Sequence, residues 1–239
     1  MFMDPDVIPK SKLPIVAELV AAITTDGHIQ VRTFNGKVKY GYIGFFSKDM
    51  EQLVWFRDSV KKLVDVEPKI RKWGQRKNGS STGCIVCCSV LTKALLNYGA
   101  PYGSKVDKKF DFPTWIKNSD DRIVKRFLRV LFDCDGGINY DRQNKRWEIK
   151  FSMHKEKSVC EDCIEYLETI RQLLNRFGIT SYRIHRYNKY IRPRDGRTIE
   201  GWRILIRDKR SIVNYSKSIS FNIKDKKVKL TKAVKWARS

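Results

Sequence analysis

Two stretches decide the fold: Leu19-Val20-Ala21-Ala22-Ile23-Thr24-Thr25-Asp26-Gly27 and Leu128-Arg129-Val130-Leu131-Phe132-Asp133-Cys134-Asp135-Gly136. Each is an apolar run at helical spacing that ends on Asp-Gly and gives way to a strand pattern. Asp26 and Asp135 lie 109 residues apart. A single Asp-Gly after a helix is ordinary turn chemistry, with Asp tolerating the bend and Gly expected to supply a positive φ. Two copies in one context point to a repeated architecture.

Outward from the first copy, Leu13 to Ile23 reads as a helix, with Ser11 as N-cap and Pro14 in the first turn. After it, HIQVRTF alternates polar and apolar, Asn35-Gly36 reads as a hairpin turn, and VKYGYIGFF returns. A helix over Lys48–Val64, a second hairpin around Asn78-Gly79 and a short helix over Leu91–Tyr98 complete the unit. Outward from the second copy the order recurs. Ser119-Asp120-Asp121 can cap the helix, and GINYD and RWEIKFSM form a hairpin. A helix over Lys157–Phe177, the strands TSYRIHRYNKYI and TIEGWRILI, a helix over Asp208–Lys217 and a Lys-rich final helix follow. Each half reads αββαββα. The reading is an N-terminal repeat over 1–98, a Gly, Pro and charge-rich linker over 99–118, and a C-terminal repeat over 119–239. If the two helices pair about a pseudo-twofold, their C-terminal ends meet. Two carboxylates side by side repel and call for divalent cations between them. That arrangement suits metal-assisted phosphodiester cleavage.

Charge points to the same class of partner. The 239 residues carry 49 Lys and Arg against 26 Asp and Glu, a net +23. Residues 1–119 hold 19 basic and 11 acidic side chains, and residues 120–239 hold 30 and 15. The cations are interleaved with Tyr, Trp and Ile, as on a folded basic surface rather than a tail. With 41% hydrophobic residues a real core is expected. No apolar run reaches the ~18 residues of a membrane span, and no secretory signal is apparent, so an intracellular place is expected, in a prokaryotic cytoplasm or an organelle. Cys84/Cys87 and Cys160/Cys163 form two CxxC pairs 73 residues apart, one on a strand and one on a helix. Such placement suits free thiols in a reducing cell rather than zinc.

At these motifs the sequence resembles the LAGLIDADG homing endonucleases of the single-chain, two-repeat type, over almost its whole length. The resemblance implies an α+β fold of two pseudo-symmetric repeats, a saddle-shaped antiparallel sheet and signature helices paired at the centre. It implies a monomer that cuts both strands of a long non-palindromic duplex, with intron-encoded origin. It implies that Asp26 and Asp135 bind catalytic Mg2+, or Mn2+ or Ca2+, helped by the main-chain carbonyls of Thr25 and Cys134. It places Ser47 or Lys48, and Lys150, Ser152 or His154, around the scissile phosphates, with Arg207 at the end of the last strand and its counterpart near Cys87 and Cys88. Two departures stand out: Thr24 replaces the first Asp of the signature in copy one, and Val130 stands at a helix-packing position that is Ala21 in copy one.

A β-ribbon in the major groove reads bases with alternate side chains. The first ribbon offers His28, Gln30, Arg32, Lys37, Lys39 and Tyr40; the second offers Arg71, Trp73, Gln75, Arg76 and Lys77. The third offers Asn139, Asp141, Arg142 and Lys145; the fourth offers Arg183, His185, Tyr187, Lys189, Arg192, Arg194, Arg197 and Arg203. Acidic residues gather instead on the 157–177 helix. The more basic second half should supply more of the salt-dependent affinity. Three other readings compete. One is an intron RNA maturase on the same fold. Another is a transcriptional DNA-binding protein, for which no appended helix-turn-helix is seen. The last is an intein-embedded copy, disfavoured by the absence of splicing residues at the chain ends.

Overall fold

The computed structural model describes residues 8–34, 37–76 and 79–239, without the side chains of 33, 37–39, 73–76 and 79–81. The chain forms two compact units, one ending at Gly103 and one beginning at Ser104. The first runs α1 (Leu13–Thr24), β1 (Gly27–Phe34), β2 (Lys37–Ser47), α2 (Met50–Lys61), β3 (Lys69–Arg76), β4 (Gly79–Cys87) and α3 (Ser89–Asn97). Its four strands are antiparallel in the order β1-β2-β4-β3. The second opens with a single turn, α4 (Thr114–Lys117), then α5 (Asp121–Cys134), β5 (Gly136–Asp141), β6 (Arg146–Glu156) and α6 (Cys160–Asn175). It closes with β7 (His185–Ile191), β8 (Thr198–Ile206), α7 (Lys209–Ser218) and α8 (Lys224–Arg238). Its sheet order, β5-β6-β8-β7, repeats that of the first. The α+β class and the two αββαββα halves are as the sequence indicates. The second half adds α8.

The two signature helices are buried to different extents, because α1 is apolar on most faces and α5 is amphipathic. From Val16 to Ile23, α1 presents only buried side chains. In α5 the apolar positions Ile123, Val124, Phe127, Leu128, Val130, Leu131 and Phe132 are buried, Arg122 is exposed, and the half-buried Arg129 donates to the Ile219 carbonyl at 2.6 Å. Aromatic pairs lock strands to helices: Phe45 stacks on Phe56 with centroids 4.8 Å apart, and Phe132 meets Phe151 at 5.4 Å.

Local differences from the sequence reading have physical causes. Ser11 does not cap α1; it lies in a 3-10 turn over Lys10–Lys12, and the N-cap is Lys12 without a side-chain bond. Asp120 does cap α5, accepting from the Ile123 amide at 3.0 Å. The strand expected from Thr180 starts only at His185. Residues 104–118 pack on the second unit. The Glu156 amide donates to the Val106 carbonyl at 2.9 Å, Phe110 sits edge-on to Tyr166 at 5.5 Å, and Ile116 is buried. Phe110, Phe112 and Ile116 supply apolar anchors that a pure linker has no need of.

Candidate nucleic-acid interface and the two aspartate ends

Neither Asp-Gly glycine is among the described glycines of positive φ, which are Gly99, Gly103, Gly178 and Gly196. The expected positive φ is therefore corrected. What requires glycine is close approach. A Cβ on Gly27 would lie 2.7 Å from the Ile23 Cα, and one on Gly136 would lie 2.5 Å from the Phe132 carbonyl oxygen. Each strand thus leaves its helix by folding back against the helix's last turn. That path sets Asp26 and Asp135 at equivalent places, each between the end of a signature helix and the first strand of a sheet.

The two helix ends are finished differently. In α1 the Thr24 hydroxyl donates to the Val20 carbonyl at 2.8 Å, and the Thr25 hydroxyl to the Ala21 carbonyl at 2.9 Å. In α5 the residue aligned with Thr24 is Asp133. Its buried carboxylate accepts from the amides of Asn222 and Ile223, just before α8, at 3.0 and 3.4 Å. Burial pushes the Asp133 carboxyl up to about 6, against the pull of those two amides. The departure at Thr24 fits this difference: among the described residues the first unit has no counterpart of α8, and so no lead-in amides for an acid at that place to bind. Returning the contact, the Lys226 ammonium donates to the carbonyls of Asp133 (2.5 Å), Gly136 (2.7 Å) and Phe132 (3.1 Å), and stands 3.5 Å from that of Cys134. Neither Lys226 nor the role of Asp133 was read from the sequence.

Strand register gives the residue equivalences. Gly27 pairs with Phe45, and Gly136 pairs with Phe151. Lys150, which faces Gly137, therefore corresponds to Gly44, which faces His28. Lys48, exposed on the bend after β2, corresponds to His154 and not to Lys150. The Lys150 stem lies over Gly137, where a Cβ would meet its Cε at 3.3 Å. Ser47 is turned toward α2, donating to Gln52 at 2.5 Å. Phe45 pairs with Cys84 and Phe151 with Ile204, so Arg207 corresponds to Cys87. The next pair, Cys88 and Asp208, both cap the following helix, through Leu91 and Ser211. Arg207 itself is engaged by Glu148 at 2.7 Å and lies over the Tyr182 ring.

One face of each sheet is left to polar side chains. In the first unit His28, Gln30 and Arg32 alternate with Ile29 and Val31, and Gln30, Arg32 and Tyr40 are exposed. Gln30, Arg32, Tyr40, Tyr42 and Cys87 line a hollow of about 470 Å³ on this face. Arg71 is exposed on β3. Lys37 and Lys39 lie on β2, and Trp73, Gln75 and Arg76 on β3, with side chains outside the described set; Lys77 lies outside it altogether. In the second unit Asn139 is exposed on β5, Asp141 accepts from the Gln143 and Asn144 amides in the turn, and Arg142 and Lys145 are exposed there. Tyr187 sits 3.0 Å from the His154 ring nitrogen Nε2, under the Arg203 guanidinium, which donates to His185 at 2.9 Å. Burial lowers the His154 pKa, so its neutral form is favoured. Arg183 and Lys189 are exposed. Arg192 is placed otherwise: its guanidinium meets Asp107 at 2.7 Å and Asp195 at 2.6 Å, and Arg194 and Arg197 border the same two carboxylates.

Among the described residues no three His, Cys, Asp or Glu side chains cluster to hold a metal ion, and the six cysteines are free thiols. Each aspartate end does offer one carboxylate and a helix-terminal carbonyl. These hard oxygen donors suit a Mg2+-type ion that keeps waters and substrate phosphate in its remaining positions. No described helix is long and apolar enough to cross a membrane.

Residues 122–220 match the family of LAGLIDADG-like domains. Among curated proteins the chain is 27% identical over 177 residues to the replication factor C small subunit of Methanocaldococcus jannaschii, covering 72% of this chain and 9% of that one. It is 26% identical over 225 residues to the tRNA-splicing ligase RtcB of the same organism, covering 89% and 22%. The chain thus spans a small part of the relatives it matches. Among solved structures, I-DmoI bound to its target DNA with Mn is similar at a TM-score of 0.55 and 17% identity, over 88% of this chain and 97% of that one. The homing endonuclease I-WcaI on its DNA recognition sequence is similar at 0.52 and 15%, over 96% and 98%. Full-length WhiA of Thermatoga maritima is similar at 0.50 and 14%, over 98% of this chain and 64% of that one. These structural likenesses establish a shared fold.

Proposed function

From a second half that is a LAGLIDADG-like domain, and a first half on the same plan, we propose that the chain is a divalent-metal-dependent DNA endonuclease making a double-strand break in a long non-palindromic site. One observation carries the reading: the same Asp-Gly helix end recurs twice, and each opens onto a sheet face of polar side chains. The two faces differ residue by residue, with Gly44 against Lys150 and Cys87 against Arg207, so the half-sites they read should differ. In this proposal Asp26 and Asp135 bind the metal, with the Thr25 and Cys134 carbonyls, and Gln30, Arg32, Asn139 and Arg203 address base edges. Lys150 stabilises negative charge developing on the phosphate. Lys48 holds a phosphate, and Arg207 is braced by Glu148 near the backbone. A bound Mg2+ or Mn2+ would supply an activated water and neutralise the leaving oxygen.

The curated relatives bear on this in a second way. A replication factor, an RNA ligase and a polymerase subunit share no activity, yet each contains a segment like this chain. A segment that recurs in unrelated hosts fits a mobile element, and none of the hosts' activities is proposed here.

The test is cleavage of a plasmid carrying the uninterrupted allele of the host gene. Asp26→Asn and Asp135→Asn should abolish cutting in Mg2+ while duplex binding survives. Strong cutting by either variant overturns the assignment. A maturase reading draws on the exposed Tyr40, Tyr140, Tyr187 and Tyr190, which suit stacking on unpaired bases. RNA-dependent splicing without plasmid cleavage would favour it.

A further inference from the structure

The helix end that carries Asp135 is held by a second element, and the one that carries Asp26 is held by its own threonines. We propose that Lys226 is a positioning residue for the metal-binding end of the second unit, fixing the Cys134 carbonyl and Asp135 through the last turn of α5. The inference rests on the endonuclease reading above.

The geometry argues as follows. An ammonium has three protons to donate. Its contacts to the carbonyls of Asp133, Gly136 and Phe132, at 2.5 to 3.1 Å, are shorter than that to the Cys134 carbonyl at 3.5 Å. Lys226 therefore grips the backbone on both sides of Cys134-Asp135 and leaves that carbonyl as the weakest contact. It also neutralises the negative end of the α5 dipole, which would otherwise fall to the solvent. The grip is reciprocal: the buried Asp133 carboxylate accepts from the amides of Asn222 and Ile223, the two residues that lead into α8, four and three residues before Lys226. Helix α8 is in turn seated on the body of the unit by buried Leu230 and Ala233, and by Trp236 under the Lys209 ammonium. The terminal helix is thus a strut running from the core to the aspartate end. Among the described residues the first unit's last helix is α3, ending at Asn97, so α8 belongs to the second unit alone. Loss of the Lys226 contacts should then slow the cutting of one strand more than the other.

The full chain, Lys226→Met and Lys226→Arg are compared in two ways. Hydrogen exchange without metal or DNA should be at least about tenfold faster at Asp135 and Gly136 in Lys226→Met, with the thermal midpoint of the sheets little changed. Mn2+ titration of each protein on duplex DNA, read by electron paramagnetic resonance, should show one of two sites weakened about tenfold in Lys226→Met. Lys226→Arg should restore it in part, and nicking of one strand should slow more than nicking of the other. Unchanged exchange, or unchanged Mn2+ affinity beside faster exchange, overturns the proposal, the latter reducing Lys226 to a helix cap. Should the parent chain neither take up Mn2+ nor cut, the endonuclease reading is what fails.

Discussion

At the scale of single residues, the two signature glycines are fixed by contact and not by dihedral angle. The sequence shows Asp-Gly twice, but a helix-ending glycine and a glycine pressed on a helix look alike in one dimension. Only the 2.5 Å approach of a Gly136 Cβ to the Phe132 oxygen separates them. Gly136→Ala should therefore cost roughly 1–3 kcal/mol or more by overpacking, measured by urea unfolding, and Gly27→Ala should behave alike. A penalty near zero for both would show that the strand can move aside. Lys155 gives a pH-dependent counterpart. It is 1% exposed, over the Phe110 ring and bonded to the Lys108 carbonyl, and burial pushes its pKa down to about 8. The unfolded chain keeps that proton to about pH 10.4. Between those values the unfolded state binds more protons, so stability rises with pH, by up to about 3 kcal/mol. Lys155→Met should flatten the difference in unfolding free energy between pH 7 and pH 10. An equally steep rise in the variant would assign the effect to other groups.

At the scale of elements, periodicity revealed the helices, the hairpins and their repetition, because each half buries one helix and one sheet face. It did not reveal which residues are equivalent, because that depends on register. The sequence leaves Lys150, Ser152 and His154 open as the counterpart of Ser47 or Lys48, and pairing matches Lys48 with His154 and Lys150 with Gly44. The same limit hid the α8 strut, although one clue was present. The copy with Asp133 is the copy followed by an extra helix, and that helix has Ile223 as its N-cap, which offers no capping side chain. Register also sharpens a functional expectation. Lys150 lies over Gly137, two residues past Asp135, and its counterpart position has no side chain. Lys150→Met should lower cleavage by about 10²–10³-fold with duplex binding within a few-fold of the parent. Because Gly44 supplies nothing equivalent, the loss should fall mainly on one strand, as a nicked intermediate on a gel would show. Equal slowing of both strands would remove Lys150 from a strand-specific role.

At the scale of the whole molecule, +23 overstates the charge offered to a polyanion. Composition counts cations, but structure decides which of them already have anions. On the fourth ribbon, Arg192, Arg194 and Arg197 surround Asp107 and Asp195, and Arg192 holds the Asp195 carboxyl down near 2. Arg186 pairs with Glu200 at 2.8 Å, and Arg146 and Arg207 share Glu148. These arginines brace the turn and the sheet. Lys189, on the exposed run of β7, stands opposite Glu200, whose carboxylate is taken by Arg186, and among the described residues it forms no ion pair within 4.0 Å. The two kinds of cation should separate in the salt dependence of binding to a mixed-sequence duplex. Removing a side chain that displaces one counterion lowers the slope of log K against log salt by about 0.9. Lys189→Ala should show that loss, with affinity weakened alike across sequences. Arg192→Ala should instead lower the thermal midpoint and release the β7–β8 turn from residue 107, with a smaller change in slope. Its stabilising effect should also fade as pH drops through about 2, because the depressed Asp195 carboxylate loses its charge there. Equal slope changes in the two variants would mean that the Asp107–Arg192–Asp195 clamp opens to bind phosphate. The fourth ribbon would then be a more basic surface than its ion pairs indicate.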